Sequence, residues 1–374
     1  MQEYPHPIDR YRLIQKLISL TREAYGLEQV PLASRAKVTQ SVISNLEHLE
    51  KSIENPKRRV SREDLLKVLT WGLMFKEHEV SAVLYVYNGC PLTEDEIRRY
   101  RPLHDVEDYT VKDLRTTFFT LLRKMLNSHF QDDSTQQAKV RILSGDEANS
   151  LLADRILQQL ESLPGQRLMV TEFPSHLSHP LEAYYSDDLL DDPFFLSDRI
   201  QEEARKTTLE RVETFHRHLK LYGERHILCK PSLLNYLKKQ PENDQVTGDK
   251  NSVRHLGRYR HLSLKRRQEH IQHCIELLEK NPHYDIRLAG ATPELELEIK
   301  SSQEVMLRGA RRYERDEERP CWGPRYVHWL DDTSVLLFLL DFEMQWDKLM
   351  EEKDPKTEKE RVINFFKDLL RNSG

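Results

Sequence analysis

Gln40, Ser41, Ser44 and Asn45 place two amides and two hydroxyls within six residues, at spacings that share one side of a helix. A side-chain amide offers a donor and an acceptor together, the pattern that pairs with an adenine edge in a duplex major groove; serine discriminates less. A basic run, Lys57-Arg58-Arg59, follows and suits phosphate oxygens or, equally, a solvated loop. Imidazole chemistry competes with this reading. His176 and His179 lie three apart in a loop, and His270, His273 and Cys274 share one helix face. Neither group has a second cluster at the spacing of a transition-metal site, and isolated His pairs are more often surface or capping material. Tyr184-Tyr185 and Phe194-Phe195 read as core before ligand pocket. The segment 254–267 (RHLGRYRHLSLKRR) is basic and interleaved with aromatics, open to DNA, an anionic effector such as a nucleotide, or solvent alone. Cys90, Cys229, Cys274 and Cys321 are far apart without a CxxC, which fits a reducing compartment better than a disulfide scaffold.

The elements that must hold these residues follow from periodicity. Apolar positions at 11, 13, 14, 17, 18 and 20 predict a helix over 9–25 that stops at Gly26. Short helices follow to about residue 50, then a polar loop broken by Pro56. Ser61, with Asp64 three residues on, predicts an N-cap for a helix through Leu73, and a further helix runs over 77–87 to Asn88-Gly89. Leu32, Val38, Ile43 and Leu46 would lock two of the short helices at their crossing angle, and Thr39 has the chemistry to cap the second. Beyond a polar stretch, 111–130 is a helix that either connects domains and pairs with a second subunit or packs on its own chain. From residue 139 strands alternate with helices: helices over 145–161, 196–220, 231–239, 264–280 and 357–371, strands over 167–173, 226–229, 284–289 and 295–299. Residues 326–330 and 335–342, flanking Asp331-Asp332, predict a hairpin.

In one register, Gln29 precedes Leu32-Ala33, then Val38-Thr39-Gln40, then Ile43-Ser44 and Glu47. This stretch resembles the phage-repressor class of helix-turn-helix domains, the XRE or Cro/C1 type, with every interval met. The resemblance implies that Gln29 heads the first helix and holds a phosphate, and that Gln40, Ser41, Ser44 and Asn45 are the recognition positions behind the capping Thr39. Residues 65–89 resemble the two closing helices of longer bacterial regulators of this type, so about a quarter of the chain is covered. Three departures stand out. Lys37 occupies the turn position usually held by Gly, and so requires a left-handed lysine or another turn. Pro31 is tolerable only in a first helical turn. The loop after Glu47 is long, and it carries Lys57, Arg58 and Arg59.

The rest of the chain is similar, loosely and at fold level, to phospholipase-D-like sensor domains of bacterial regulators. The enzyme form of that fold needs His-x-Lys and then Asp. His218-Leu219-Lys220 supplies the first part, but Arg225 stands where Asp is required and the pair falls on a helix, so no catalytic residue is assigned.

Net charge is −5 over 374 residues, but residues 1–76 hold 13 basic against 9 acidic side chains, so a mildly basic head precedes an acidic remainder. Charged residues make 32%, hydrophobic ones 38%, and mean hydropathy is −0.70. The apolar run 335–340 is too short for a membrane span, and no secretory signal is evident at the start. The expected architecture is multidomain α and α/β: a five-helix helix-turn-helix domain over 1–103, a connecting helix and linker over 104–135, and a mixed α/β effector or dimerisation domain over 136–374. The expected function is a sequence-specific transcriptional regulator, bacterial, cytoplasmic and nucleoid-associated when bound. Its partners would be double-stranded DNA, a second copy and a small-molecule effector, with no membrane, cofactor or metal. A DNA-targeted enzyme with a degenerate phosphodiesterase-like body, and a protein-interaction module on the same helical fold, are the alternatives.

Overall fold

The computed structural model describes residues 7–100, 111–132, 140–145, 147–185, 198–238, 262–293, 295–300, 304–309, 323–330, 332–351 and 354–373. They fall into two compact units, Met1–Gln137 and Ala138–Gly374. No helix among the described residues is long and apolar enough to cross a membrane.

The first unit is helical throughout its described residues. Helix α1 (Pro7–Ala24) buries Leu13, Ile14, Leu17, Ile18 and Leu20, and Gly26 follows at φ +61°. Helix α2 (Gln29–Ala36) contains Pro31 in its first turn, where the absent N–H has no intrahelical partner to lose. Lys37 ends α2 at φ 57°, ψ 41°, the left-handed turn, donating its N–H to Ser34. Helix α3 (Gln40–Leu46) starts three residues later. After α4 (Lys51–Glu54) and a 3₁₀ turn (Pro56–Arg58) comes α5 (Arg62–Lys67), whose Asp64 N–H is capped by Ser61 Oγ at 3.0 Å. The expected continuation of this helix to Leu73 is instead a π-helical turn, Val68–Gly72. A Cβ on Gly72 would lie 2.8 Å from Leu32 Cδ1 and 3.2 Å from Ala36 Cβ, so glycine lets this turn close against α2 without displacing Leu32.

Helix α6 (Glu77–Asn88) stops at Gly89 with φ +78°, and α7 (Glu94–Arg99) opens with a Thr93–Glu96 capping box. Arg62 ties these pieces together, bonding Glu96, Asn88 Oδ1 and the carbonyls of Cys90 and Pro91. The Glu96 carboxyl is held at about 2 by that guanidinium. Helix α8 (Val111–Asp132) packs on α1 and α6 through Leu114, Phe118, Leu121, Leu122 and Leu126. It is therefore part of the first unit and not a free connector. The first unit also has more helices than the five expected.

The second unit is built on a seven-stranded sheet in the order β1-β7-β6-β5-β2-β3-β4. The strands are β1 (Val140–Gly145), β2 (Arg167–Thr171), β3 (Glu224–Cys229), β4 (Tyr284–Ala289), β5 (Leu295–Lys300), β6 (Glu304–Gly309) and β7 (Gly323–Trp329). Strands β2, β3 and β4 run parallel; β5, β6, β7 and β1 pair antiparallel. Helices α9 (Glu147–Ser162), α10 (Asp198–Tyr222), α11 (Lys230–Tyr236) and α12 (Leu264–Lys280) supply the links in order. Two further helices, α13 (Asp332–Lys348) and α14 (Pro355–Arg371), close the unit.

One expectation is overturned outright. Residues 335–342 are helical and do not pair with β7, whose partners are β1 and β6. Val335, Leu336, Leu339, Leu340 and Glu343 are buried while Asp341, Met344 and Gln345 are exposed, which is helical spacing. A short apolar run is compatible with either element, and the helical period shows only when the residues up to Trp346 are included. Glu343 also explains why this helix docks: it takes two bonds from the buried Arg225 of β3, at 2.8 and 2.5 Å.

Candidate nucleic-acid interface

Helices α2 and α3 clasp through side chains that the solvent does not reach: Leu32, Ala36, Ile43 and Leu46 are each 0% exposed. At roughly 25 cal/mol per Å² of apolar surface removed from water, such contacts outweigh the weak intrinsic stability of a seven-residue helix. The polar residues of α3 are thereby turned outward. Thr39, Gln40 and Ser41 are exposed at its start, and Ser44 and Asn45 are half-buried one turn on.

Thr39 sits at the N-cap with φ −82°, ψ 155°, but its side chain makes no capping bond. Its Oγ1 lies 2.7 Å from Ser41 Oγ instead, so two of the expected contact residues hydrogen-bond each other.

Below this face runs a bracing chain that was not expected. Glu47 receives Arg22 Nε at 2.5 Å on one oxygen and Gln29 Nε2 at 2.6 Å on the other. Gln40 Nε2 approaches Gln29 Oε1 at 3.5 Å. Both ends of the Gln29 amide are thus engaged by side chains of the same unit, while its nitrogen carries a second hydrogen of the kind the expected phosphate contact requires. The signal was present in the motif, since Glu47 ends it, but a role for Glu47 depends on Arg22, which lies outside the motif.

Lys57, Arg58 and Arg59 are all exposed, on and just after the Pro56–Arg58 turn, which Asn55 Oδ1 caps through the Lys57 N–H at 3.1 Å. Lys37 Nζ stands 5.0 Å from the Trp71 ring centroid, which holds the left-handed lysine against the π-turn.

The remaining candidates fall in the second unit. His176, His179, His270, His273 and Cys274 come from two distant stretches and meet around the 3₁₀ turn His176–Ser178. His179 stacks on His270 with centroids 3.6 Å apart. His270 is spoken for: Tyr236 OH lies 2.9 Å from Nδ1, and Ser178 Oγ and the Ser175 carbonyl lie 2.9 and 3.1 Å from Nε2. Burial pushes its pKa down to about 3 and lowers that of His179 too. Cys274 is pushed up to about 12 by burial, which makes it a poor nucleophile. No set of three metal-ligating side chains is grouped among the described residues.

The structure does not bring His218, Lys220 and Arg225 together. Lys220 is exposed, Arg225 pairs with Glu343, and His218 lines a narrow cleft with Glu161, Arg167, Glu224 and Lys300. Arg167 there bonds Glu298, Glu224 and Glu161 at 2.8, 3.1 and 3.2 Å, and Arg211 links Glu161 to Asp154. This buried ion network had no sequence signal, because its members lie on α9, α10, β2, β3 and β5. Of the basic segment 254–267, residues 254–261 lie outside the described residues. Arg267 is buried and donates to the Tyr236 and Lys238 carbonyls. Tyr184 is core and Tyr185 exposed; Phe194 and Phe195 lie outside the described residues.

No family model, curated protein or solved structure matches the chain.

Proposed function

We propose that the first unit is an XRE-type helix-turn-helix domain that binds double-stranded DNA in a sequence-specific manner, and that the chain is a transcriptional regulator. The observation that carries this reading is the two-sidedness of α3. Ile43 and Leu46 are wholly buried against α2 while Gln40 and Ser41 project from its first turn into solvent. A short helix held from behind, with amides and hydroxyls at its N-terminal end, suits insertion into a major groove. The exposed Lys57, Arg58 and Arg59 form no ion pair among the described residues and are available to phosphates. The α/β unit then serves to dimerise the protein or to sense a small-molecule effector, in the cytoplasm of a bacterium.

The test is selection of bound sequences from random duplexes, followed by Gln40→Ala. The substitution is expected to relax preference at one base position at a cost of about 1–3 kcal/mol. No enriched sequence, or identical enrichment by the variant, would defeat the reading. A second reading, a protein-interaction module on the same fold, is favoured by the charge balance of the whole first unit, which has 20 basic and 20 acidic residues. It predicts no dependence of DNA retention on salt beyond that of nonspecific binding.

A further inference from the structure

The exposed side of α3 does not end where the helix does. Glu47 stays on the helical path, at φ −75° and ψ −5°, and donates its N–H to the Ile43 carbonyl at 3.0 Å. The chain therefore delivers His48 seven residues after Ser41 and four after Ser44, two turns and one turn along the same side. His48 is exposed, while its neighbour Leu49 is buried and anchors the backbone there. The His48 N–H bonds the Asn45 carbonyl at 3.3 Å, and the imidazole takes the Ser44 carbonyl, with Nδ1 at 3.0 Å. A ring held on a helix C-terminal carbonyl has little rotamer freedom left to lose on binding.

That bond also sets the chemistry of the ring. A carbonyl oxygen has no proton to give, so Nδ1 carries the hydrogen, and in the neutral tautomer Nε2 keeps its lone pair. No side chain among the described residues bonds that Nε2. Gln40, Ser41, Ser44 and Asn45 can each donate as well as accept; His48 offers an acceptor alone. In a major groove the partner of a pure acceptor is an exocyclic amino group, N6 of adenine or N4 of cytosine. Guanine O6 and N7 and thymine O4 are themselves acceptors and repel it.

We propose that His48 is a further specificity-determining residue, its Nε2 accepting a hydrogen bond from the amino group of an adenine or cytosine in the major groove. The proposal rests on the DNA-binding reading of the α2–α3 surface and extends its recognition side past the end of α3.

The test is selection from random duplexes at about pH 8 with the full chain, with His48→Ala and with His48→Arg. The unaltered protein should enrich one base pair that His48→Ala leaves unselected, at a position distinct from the one relaxed by Gln40→Ala. His48→Arg, which only donates, should place guanine on the strand that carried the amino-bearing base. A measurement on the unaltered protein covers the case in which a variant misfolds. In the selected duplex the amino group is removed from that base alone, with purine replacing adenine or pyrimidin-2-one replacing cytosine. Affinity should fall about two- to tenfold, the range of one hydrogen bond, and His48→Ala should show no such loss. The enriched pair, A·T or C·G, tells which amino group is read. No enriched sequence at all would defeat the DNA-binding reading and this proposal with it. An enriched sequence that His48→Ala reproduces in full, or undiminished affinity for the base lacking its amino group, would overturn the role of His48 alone.

Discussion

Glu47 shows how much one carboxylate decides about the α2–α3 surface. Its side chain is 8% exposed and that of Arg22 is 17% exposed, so their bond at 2.5 Å is screened little by water. Glu47→Gln removes the charge and leaves Arg22 with a weaker acceptor, and the variant should lose about 1–3 kcal/mol of stability in urea unfolding. Because Glu47 also orients Gln29, and Gln29 faces Gln40, DNA affinity should fall further than the loss of folded protein explains. Equal losses in stability and binding would mean that the brace does not reach the recognition face. A second prediction at this scale concerns His270. Burial holds its pKa at about 3, against about 6.5 in an unfolded chain. Between those values the unfolded state takes up a proton that the folded state refuses. Stability therefore falls as pH drops from about 6.5 toward 3, by up to about 1.4 kcal/mol per pH unit for this group. His179, stacked on it and also buried neutral, adds to the slope. Chemical unfolding at pH 7.5, 6.0 and 5.0 measures it, above the range in which ordinary carboxylates protonate. A flat profile over that interval would contradict the buried neutral pair, and His270→Asn should flatten the slope in any case.

Helices α2 and α3 are positioned from outside as well as by their own contacts. The π-turn Val68–Gly72 lies against α2, and a methyl group on Gly72, 2.8 Å from Leu32 Cδ1, would have to displace the buried Leu32 side chain. Gly72→Ala should cost about 1–3 kcal/mol, the usual penalty of overpacking, and lower the thermal midpoint of the first unit in calorimetry. An unchanged midpoint would show that the turn can shift away from α2 freely. This contact also illustrates what a sequence conceals. The helix expected through Leu73 was legible from Ser61 and its apolar positions, but a π-turn has no residue signature. The α12 and β4 boundaries, 264–280 and 284–289, coincide with the expectation; Ser263 caps the helix, and β4 buries Tyr284, Ile286, Arg287 and Leu288. Strands β1 and β6 were missed: β1 sits at the sheet edge with Ile142 72% exposed, so its apolar pattern is broken where no second layer covers it. The histidine cluster failed to register for a different reason. Its halves are separated by about 90 residues, and only the packing of α12 and α10 on the 3₁₀ turn unites them. In the α2–α3 region the spacing identified Gln40 and Ser41 as exposed, while Ser44 and Asn45 are half-buried. It did not show the brace on Gln29, whose partner Glu47 is held by Arg22 from α1.

Charge looks different once the molecule is divided where the structure divides it. The excess of four basic residues over 1–76 is cancelled within the same unit by residues 77–137, and Ala138–Gly374 carries 37 basic against 42 acidic side chains, the whole of the −5. The first unit therefore carries no net charge to draw DNA in, and affinity would have to come from cations placed locally at the backbone. That makes the salt dependence of binding a count of those contacts. Each phosphate neutralised contributes a slope of about −0.9 in log K against log salt. If Lys57, Arg58 and Arg59 are the clamp, one chain per site gives a slope near −3, and a dimer on two half-sites gives a slope near −5 to −6. Replacing all three by alanine should bring the slope close to zero in either case, while leaving the preferred sequence unaltered, since phosphate contacts position and base contacts specify. The selected sequences provide an independent check, because a symmetric dimer requires half-sites about 34–36 Å apart along the duplex. A slope near −3 together with unpaired sites would mean that the second unit does not dimerise the protein on DNA. A steep slope that survives the triple substitution would move the phosphate contacts to another surface, and with them the assignment of this loop.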